Sequence, residues 1–485
     1  MKLNKKEYLD KCYACWIGKN IGGTMGTPYE GRREFQDIHG FVTEANVVLP
    51  NDDLDLQLVW LYAVERIGPR AVNAQRLGEF WLSFITPHWN EYGLGAANLR
   101  RGIPAPLSGD YKNNWRDSNG AWIRTEIWAS LAPACPATAA AYAMEDASVD
   151  HGTGEGTTAA AFVAAMQSAA YAVPDLRRCI EIGLASIPQT SRVYKSVRLA
   201  IDCYENKVEL HEARNLIQKS NADLGDGWFE SPSNVGYTVL GLLYGEGDFK
   251  KSMIYAINCG DDTDCTGATV GATLGILGGT AAIPADWRAH LGDSIVTCSI
   301  AYGSMPGGVP KSCTELTARV AAEAPEMLIA NRADVEFTDG ATEIPADLAE
   351  RFLADPTTRR QLELRQPFSF TVDFDYARAI VTLDGEPEIN PAEEKRVHIR
   401  FINNINAYCN APRNLTMRWL LPEGFTVTGR QTIRLPQQTA HSIPEVETDF
   451  VLRAGETVGA VNRAVLEVTG ECRTSAAYIP VVLLG

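Results

Sequence analysis

Apolar residues in the first two thirds of the chain recur at helical spacing. Leu54, Leu58 and Leu61 follow one another at i, i+4 and i+7, which places them on one face of a helix. Residues 157–173 combine high helix propensity with apolar residues on nearly all sides, a pattern typical of a central, buried helix. The pattern therefore predicts a mainly α-helical part over residues 5–330.

Regularly spaced glycines mark one of these predicted helices, at residues 266–283. They lie three or four positions apart, so they share one side of the helix and allow another helix to approach closely. These glycines are Gly267, Gly271, Gly275 and Gly278. Each costs up to about 1 kcal/mol in helix propensity, and we therefore expect a packing reason for them. Two further helices are predicted over residues 235–243 and 253–258.

The helical pattern breaks between residues 86 and 125, where Pro, Gly and Asn become frequent. Long irregular segments in compact domains are often binding loops. Ring-bearing side chains are concentrated in this segment: His88, Trp89, Tyr92, Tyr111 and Trp115. They favour a loop that lines a site, with a solvated excursion as the alternative.

From residue 367 onward, apolar and polar positions alternate, which predicts β-strands. The alternating segments are 368–374, 397–402, 415–420, 422–427 and 463–468. Short strands at this spacing are typical of a β-sandwich. The predicted fold is thus a mainly α protein with an all-α domain at 1–330, a connector at 331–366 that includes a helical run at 348–353, and a smaller β-sandwich domain at 367–485.

Composition and charge exclude several classes of function. The chain has 485 residues, 45% hydrophobic content and a formal net charge of −16, and this acidity argues against nucleic acid and anionic membranes as partners. Its charged N-terminus lacks a signal-peptide pattern, and no stretch is long and apolar enough to span a membrane. Eleven scattered cysteines fit reduced thiols in the cytoplasm better than disulfides. Cys12 and Cys15 are read as buried helical cysteines.

Two acidic clusters carry the candidate chemistry. The first contains Asn51, Asp52, Asp53 and Asp55; the second contains Asp261, Asp262 and Asp264, just before the glycine-rich helix. Carboxylates this close repel one another unless a cation intervenes, and hard divalent ions take oxygen ligands. A helix N-cap would explain one polar residue in each cluster but not the others. The two clusters together predict one metal site closed by two distant segments.

These motifs resemble the ADP-ribosylglycohydrolase family, of the dinitrogenase reductase-activating glycohydrolase type. The resemblance rests on the segment 12–23 leading to Gly26-Thr-Pro-Tyr-Glu30, on the run 51–53, and on Asp262-Thr-Asp264 before a Gly/Ala helix. It covers residues 5–330 in the family's order. The C-terminal β part resembles accessory sandwiches of longer bacterial members.

The resemblance implies an orthogonal all-α fold and a hydrolase that uses two divalent metal ions. Mg²⁺ is the expected ion, with Mn²⁺ and Ca²⁺ as alternatives. The implied metal ligands are Asn51, Asp52, Asp53, Asp262 and Asp264. Family members cleave the bond between the anomeric carbon of ADP-ribose and a protein side chain or small acceptor. The implied substrate is therefore a small molecule or an ADP-ribosylated protein; a homo-oligomer is left open.

Catalytic and substrate-binding roles are assigned on the same basis. Glu30 matches the family's mobile acidic residue, and we expect it to orient the attacking water or act as general base, with Asp53 as a second catalytic group. The expected substrate contacts are Asp150, His151, Asn234 and Tyr92. The first two match the family's His-containing segment; the others belong to segments expected to shape the leaving-group pocket.

Two positions depart from the family pattern, because Asn51 and Cys265 stand where threonine is usual. Asn can still offer a carbonyl oxygen, but a thiol is a soft ligand, so one metal site is expected to be weakened, shifted or completed by Thr266. Three alternatives follow: a glycosidase for a different furanoside or nucleoside-like molecule, a non-catalytic binding protein, and a sugar-binding sandwich. The last has only Trp419 and Tyr408 in its favour.

Overall fold

The computed structural model describes residues 1–225, 228–301, 303, 305–404, 414–437 and 444–485. Tyr408 lies outside the described residues. The chain divides into two compact units. The first, helical unit comprises Met1–Ala96 and Lys112–Leu364, and the second, β unit comprises Ala97–Tyr111 and Arg365–Gly485.

Helices dominate the first unit. They are α1 (Lys5–Gly26), α2 (Asp52–Ile67), α3 (Ala74–Phe84), α4 (Asn90–Arg101), α5 (Leu107–Asp110), α6 (Glu126–Leu131), α7 (Pro136–Ala147), α8 (Glu155–Ala170), α9 (Leu176–Ala185), α10 (Arg192–Glu205), α11 (Leu210–Ser220), α12 (Ser231–Tyr244), α13 (Phe249–Asn258), α14 (Thr263–Gly278), α15 (Ala285–Leu291), α16 (Cys313–Ala330), α17 (Leu348–Ala354) and α18 (Thr357–Glu363). Of these, α5 and the end of α4 belong to the β unit. The helices predicted from periodicity are confirmed as α2, α8, α12, α13 and α14.

The closest helix pair, α1 against α14, explains the spaced glycines. A Cβ atom added to Gly18 would lie 2.1 Å from the carbonyl oxygen of Gly271, and one added to Gly22 would lie 2.1 Å from the backbone of Gly267. The residue numbers rise along one helix as they fall along the other, so the helices are antiparallel. The C-terminus of α1 therefore meets the N-terminus of α14, and the expected packing reason is confirmed.

The expectation of a long irregular segment at 86–125 is wrong for its middle part. Residues Asn90–Arg101 form α4 although Gly93 and Gly95 disfavour a helix. Packing overrides propensity here, because an added Cβ at Gly93 would lie 2.1 Å from the carbonyl oxygen of His88. Tyr111 groups with the β unit, and its hydroxyl donates to Glu388 at 2.5 Å.

Residues expected to connect the domains group with the helical unit. Strand β1 (Lys2–Asn4) pairs in parallel with β2 (Glu336–Thr338), which ties this segment to the N-terminus. The predicted run at 348–353 is α17. Among the described residues no single helix is long and apolar enough to cross a bilayer, although the bent pair Thr263–Ala282 and Ala285–Leu291 meets the length and composition test jointly.

The β unit contains two antiparallel sheets. The strands are β3 (Ser369–Phe374), β4 (Ala377–Leu383), β5 (Glu394–Asn403), β6 (Asn414–Leu420), β7 (Thr426–Gly429), β8 (Thr432–Arg434), β9 (Glu445–Arg453), β10 (Val461–Gly470) and β11 (Ala476–Leu484). Their orders are β3-β4-β5-β9-β7 and β11-β10-β6-β8. Inward residues of both sheets share one hydrophobic core, so the predicted all-β sandwich is confirmed. Trp419 packs edge-on against Phe450 with ring centroids 5.3 Å apart.

Candidate metal centre and its surroundings

The antiparallel packing of α1 and α14 brings the chain after α1 to the start of α14. Gly31 donates its backbone N–H to the carbonyl of Asp261 at 2.8 Å, and Asp261 donates to the carbonyl of Arg32 at 2.7 Å. The hydroxyl of Thr263 donates to the carbonyl of Gly26 at 2.9 Å. These bonds hold the segment after α1, which carries Glu30, beside the acidic N-terminus of α14.

The N-terminus of α2 adds the first acidic cluster to this place. Asn51 caps α2 by accepting from the backbone N–H of Asp53 at 2.7 Å, and its side-chain amide lies 3.4 Å from Asp264 Oδ2. Asp55 binds a different segment of the chain: its Oδ2 accepts the backbone N–H groups of Cys298 and Ser299, both at 2.6 Å. Within residues 51–53, the helix-cap interpretation thus applies to Asn51 and the metal-ligand interpretation to the aspartates.

Two groups of three ligand atoms form where these termini meet. Asp53, Asp264 and Cys265 form the thiol triad, and Glu30, Asp262 and Asp264 form the carboxylate triad. Within each triad the ligand atoms lie within 4.8 Å of one another. Residues that are far apart in sequence are therefore brought together as the sequence predicted, and Asp264 belongs to both triads.

The buried carboxylates of these triads fit a divalent cation. Asp53, Asp262 and Asp264 are 1%, 4% and 5% exposed. One oxygen of each, namely Asp53 Oδ2, Asp262 Oδ1 and Asp264 Oδ1, receives no hydrogen bond from the described residues. A buried carboxylate oxygen without a donor is costly, and oxygen donors are what Mg²⁺ and Ca²⁺ bind. The donor set therefore matches a hard divalent ion.

The electrostatics of the site point the same way. Burial raises the pKa of Asp53 to about 7, although Lys19 lowers it. Burial also raises the pKa of Asp262 and of Asp264 well above the usual range, the charge of Glu30 raises both further, and the charge of Asp262 adds to the rise for Asp264. Carboxylates crowded in this way resist ionisation unless a positive charge is supplied.

Asp52 lies at the edge of the cluster and outside both triads. Its Oδ2 accepts the hydroxyl of Tyr92 at 3.0 Å. Glu30 is solvent-exposed, and its partial removal from water and the charge of Asp52 raise its pKa. Asp52 and Glu30 are therefore close enough for their charges to interact.

A family model for ADP-ribosylglycohydrolase matches residues 4–322. The chain belongs to the ADP-ribosylglycohydrolase family. A solved structure described as an ADP-ribosylglycohydrolase-related protein complex is 18% identical to this chain and has a TM-score of 0.44. The match covers 67% of this chain and 99% of the chain in the solved structure. A FixG-related protein from Vibrio parahaemolyticus is 13% identical over 23% of this chain and 97% of its own, with a TM-score of 0.18. Neither structural likeness is strong enough to support a conclusion. A comparison with curated proteins finds no match.

The structure also shows the surroundings of Cys265, one of the two positions that depart from the family pattern, and of its neighbour Thr266. The Cys265 thiol lies 3.3 Å from Asp53 Oδ1 and donates to it, while burial and the neighbouring aspartates raise the pKa of the thiol well above its usual range. The hydroxyl of Thr266 donates to the carbonyl of Thr263 at 3.2 Å. The Cys265 thiol is therefore engaged as a hydrogen-bond donor to Asp53, and Thr266 is used within the first turn of α14.

Lys19 is a component of the site that the motifs did not reveal. Its ammonium, on α1 and 1% exposed, lies 3.2 Å from Glu126 Oε2 and 3.6 Å from Asp53 Oδ2. Burial works against its charge, but Glu126 and Asp53 more than compensate, so the pKa of Lys19 is raised. A lysine within the largely apolar and glycine-rich segment 12–23 was the sequence feature that could have indicated its role. Asn119 also belongs to the site, because its amide donates to Asp262 Oδ2 at 2.6 Å, but no feature of the sequence indicated this.

Arg124 organises a second buried charge cluster. It is fully buried, donates to Asp146 at 2.9 Å and to Asp150 at 2.7 Å, and faces the ring of Trp81 at 5.1 Å. His151, also fully buried, lies with Nδ1 2.9 Å from Asp150. Although burial opposes it, Arg124 and His151 lower the pKa of Asp150, which therefore stays ionised.

The four predicted substrate contacts are all engaged with protein groups. Tyr92, Asp150 and His151 have the contacts described above. The side-chain amide of Asn234 donates to Asp261 Oδ2 at 3.0 Å, and its oxygen lies 3.3 Å from the backbone N–H of Asp262. All four are at most 1% exposed. Their contact with substrate stays a prediction, while Tyr92 and Asn234 here contact residues of the acidic segments.

Proposed function

We propose that this protein is a metal-dependent glycohydrolase that cleaves the anomeric bond of an ADP-ribosyl or related ribofuranosyl group. The observation that carries the proposal is the pair of buried carboxylate oxygens without donors, Asp262 Oδ1 and Asp264 Oδ1, next to the exposed carboxylate of Glu30. The buried carboxylates can bind a cation, and the exposed carboxylate beside them is accessible to water and substrate. Membership of the family supports the reaction class.

Asp262 and Asp264 hold the ion, whereas Glu30 can offer one carboxylate oxygen to the ion and use the other to act on water. The family resemblance implies two divalent ions, and the carboxylate triad offers a place for one of them. A divalent ion bound there would supply Lewis acidity for the sugar hydroxyls and lower the pKa of a bound water. Glu30 orients the attacking water or accepts its proton, since it is the exposed carboxylate with a raised pKa. Asp52, whose Oδ2 accepts the hydroxyl of Tyr92, is near enough to Glu30 for its charge to raise the pKa of Glu30.

A polar cavity beside the acidic segment supports a place for the rest of the substrate. It measures about 400 Å³ and is lined in part by Arg33, Lys219, Tyr237 and Asp261. The cavity combines cationic, amide and aromatic groups, which suits a polar and negatively charged part of the substrate better than an apolar one. The segment 234–237, predicted to shape the leaving-group pocket, contributes Tyr237.

The direct test is hydrolysis by purified protein. ADP-ribosyl-arginine, ADP-ribosyl-serine and simple furanosides are incubated with the protein and Mg²⁺, with and without a chelator, and the released products are measured by chromatography. We expect hydrolysis of at least one ribofuranosyl compound and its loss on chelation. Release from a simple furanoside alone would assign the protein to the alternative furanosidase activity.

A matched pair of variants completes this test. We expect Asp262→Asn to reduce hydrolysis by at least about 100-fold, because it removes a charged ligand. Asp449→Asn, on β9 of the β unit, should leave the rate unchanged. Retention of both metal content and hydrolysis in Asp262→Asn would overturn the proposal, as would absence of hydrolysis with all the compounds.

A further inference from the structure

The two triads differ in whether the protein itself supplies a positive charge. Next to the thiol triad lies Lys19, fixed in the interior by donating to the carbonyl of Ile123 at 2.6 Å. Its ammonium lies 3.2 Å from Glu126 and 3.6 Å from Asp53. Glu126 is itself held by the side-chain amides of Gln57 and Gln167 at 2.9 and 3.0 Å. The ammonium is therefore a fixed part of the site, not a mobile surface charge.

The ligand atoms of the thiol triad are already engaged. Asp53 Oδ1 accepts from the Cys265 thiol at 3.3 Å, and Asp53 Oδ2 faces the ammonium of Lys19. The sulfur of a cysteine is a soft donor and a poor ligand for a hard ion such as Mg²⁺, which prefers oxygen. A divalent ion placed there would also lie close to a fixed ammonium, and like charges at that distance repel strongly in a buried site.

The carboxylate triad differs from the thiol triad, because it keeps ligand atoms that no hydrogen-bond donor occupies. Asp262 Oδ1 and Asp264 Oδ1 are buried without a hydrogen-bond donor among the described residues. Their other oxygens accept only neutral amides, from Asn119 at 2.6 Å and Asn51 at 3.4 Å. No described lysine or arginine forms an ion pair with these two acids or with Glu30. Three carboxylates thus converge with neutral donors alone, which leaves a negative charge for an ion to balance.

We propose that this protein binds a single divalent ion, held by Glu30, Asp262 and Asp264, and that the Lys19 ammonium takes the place of a second ion beside Asp53. The inference rests on the proposed function only for the presence of a metal. It narrows the two ions implied by the family resemblance to one, and it assigns Lys19 as a positioning residue that fixes the charge of the site.

The metal content of the full-length protein tests this directly. The protein is stripped with a chelator, reloaded with Mn²⁺ and dialysed, and its manganese is counted by mass spectrometry. Its electron paramagnetic resonance spectrum is then recorded. We expect one Mn²⁺ per chain with the spectrum of an isolated ion. Two ions about 4 Å apart, as in two-metal sites, would give a spin-coupled spectrum.

Two lysine variants separate the role of Lys19 from a general effect of removing a buried lysine. Lys19→Met removes the ammonium and should allow a second Mn²⁺ to bind, with spin coupling. Lys11→Met is the control, because Lys11 lies on the same helix α1 but donates to the carbonyls of Ala170 and Tyr171 at 3.2 and 3.0 Å. It should still bind one ion. Asp262→Asn should bind none.

The outcomes are distinguishable from those that test the proposed function. Two coupled ions in the unaltered protein would overturn the single-ion inference, whether or not the protein hydrolyses furanosides. One isolated ion without any hydrolysis would support the inference and overturn the proposed function. One ion in a folded Lys19→Met variant would overturn the role of Lys19. If that variant does not fold, the count and the spectrum of the unaltered protein still decide.

Discussion

One ion-pair cluster in the helical unit and one ion pair in the β unit lie in opposite environments. In the helical unit, Arg124 is fully buried between Asp146 and Asp150, which are themselves 1% and 0% exposed. In the β unit, Arg396 pairs with Asp449 across β5 and β9 while the two side chains remain 59% and 41% exposed. Both pairs have bond lengths of about 3 Å, so distance alone does not distinguish them.

The difference shows which ion pairs have consequences for the rest of the molecule. Charges removed from water are held only by partners of opposite sign, so loss of one partner exposes the full cost of burying the other. Exposed pairs gain little, because water and salt screen them. In the helical unit, the charges buried at this cost in desolvation lie next to the acidic centre. There they position the groups that we propose to be catalytic.

The largest expected effect is on stability, from removal of the central buried cation. Arg124→Met leaves Asp146 and Asp150 buried without their partner, and we expect it to lower the free energy of unfolding by about 3–5 kcal/mol. Arg396→Met, the matched change in the β unit, should lower it by less than about 1 kcal/mol. Calorimetry on both variants measures the difference.

Arg124→Lys serves as the control for charge against geometry. Lysine keeps a positive charge but lacks the planar fork that reaches Asp146 and Asp150 together, so an intermediate loss is expected. Equal losses for Arg124→Met and Arg396→Met would show that burial does not distinguish the two units.

Removal of the metal should affect the two units unequally. The proposed ion joins the end of α1 to the start of α14 through Glu30 and Asp262, so its loss should destabilise that region. At a metal concentration about 100 times Kd the loss amounts to about 2.7 kcal/mol. Hydrogen exchange with and without a chelator should show faster exchange in peptides from α1 and α14 and no change in β5. Equal changes in β5 would contradict an ion confined to the helical unit.

The sequence predicted the meeting of the acidic segments better than it predicted their surroundings. Asp262 and Asp264 stand before a glycine-marked helix, and the spacing of those glycines correctly predicted close helix packing. Lys19 and Arg124 could not be assigned in the same way, because each is a single cation whose partners come from other helices. Local patterns report on local structure, whereas ion pairs between distant segments depend on the whole fold.

Helix α4 shows the same limit in the fold. Its glycines and flanking prolines indicated irregular chain, and the helix forms because Gly93 and Gly95 lie against the backbone of His88 and Asp150. Propensity is a weak prior that tertiary packing overrides. The β unit was easier to predict, since strands β3, β5 and β10 alternate in burial residue by residue, and alternation is visible in the sequence.

Close backbone packing provides the third difference between the units. Gly22→Ala in α1 would place a methyl group 2.1 Å from the backbone of Gly267, and overpacking of this kind costs about 1–3 kcal/mol. Gly459→Ala in the β unit meets its nearest atom at 3.5 Å and should be nearly neutral. Thermal unfolding measures both variants. A neutral Gly22→Ala would show that α1 and α14 can separate without loss.

A further expected effect is a difference between the two units in the sign of the pH dependence of stability. Burial raises the pKa of Asp146 to about 6 although Arg124 lowers it. Its contribution to stability is therefore fully present below the unfolded pKa and is lost as the pH rises from about 4 to about 6. Arg396 and His398 lower the pKa of Asp449, so its contribution is present above the unfolded pKa and is lost as the pH falls below it.

Asparagine variants isolate each slope, because asparagine keeps the shape and an acceptor oxygen but does not titrate. The stability of the unaltered protein relative to Asp146→Asn should fall between pH 4 and 6, with a slope of at most about 1.4 kcal/mol per pH unit for one proton. Relative to Asp449→Asn it should rise with pH below about 4 and stay flat above. Denaturant titrations across this range measure both differences. Slopes of the same sign would mean that Asp146 ionises as easily as a surface acid, and that the Arg124 cluster compensates for burial in full.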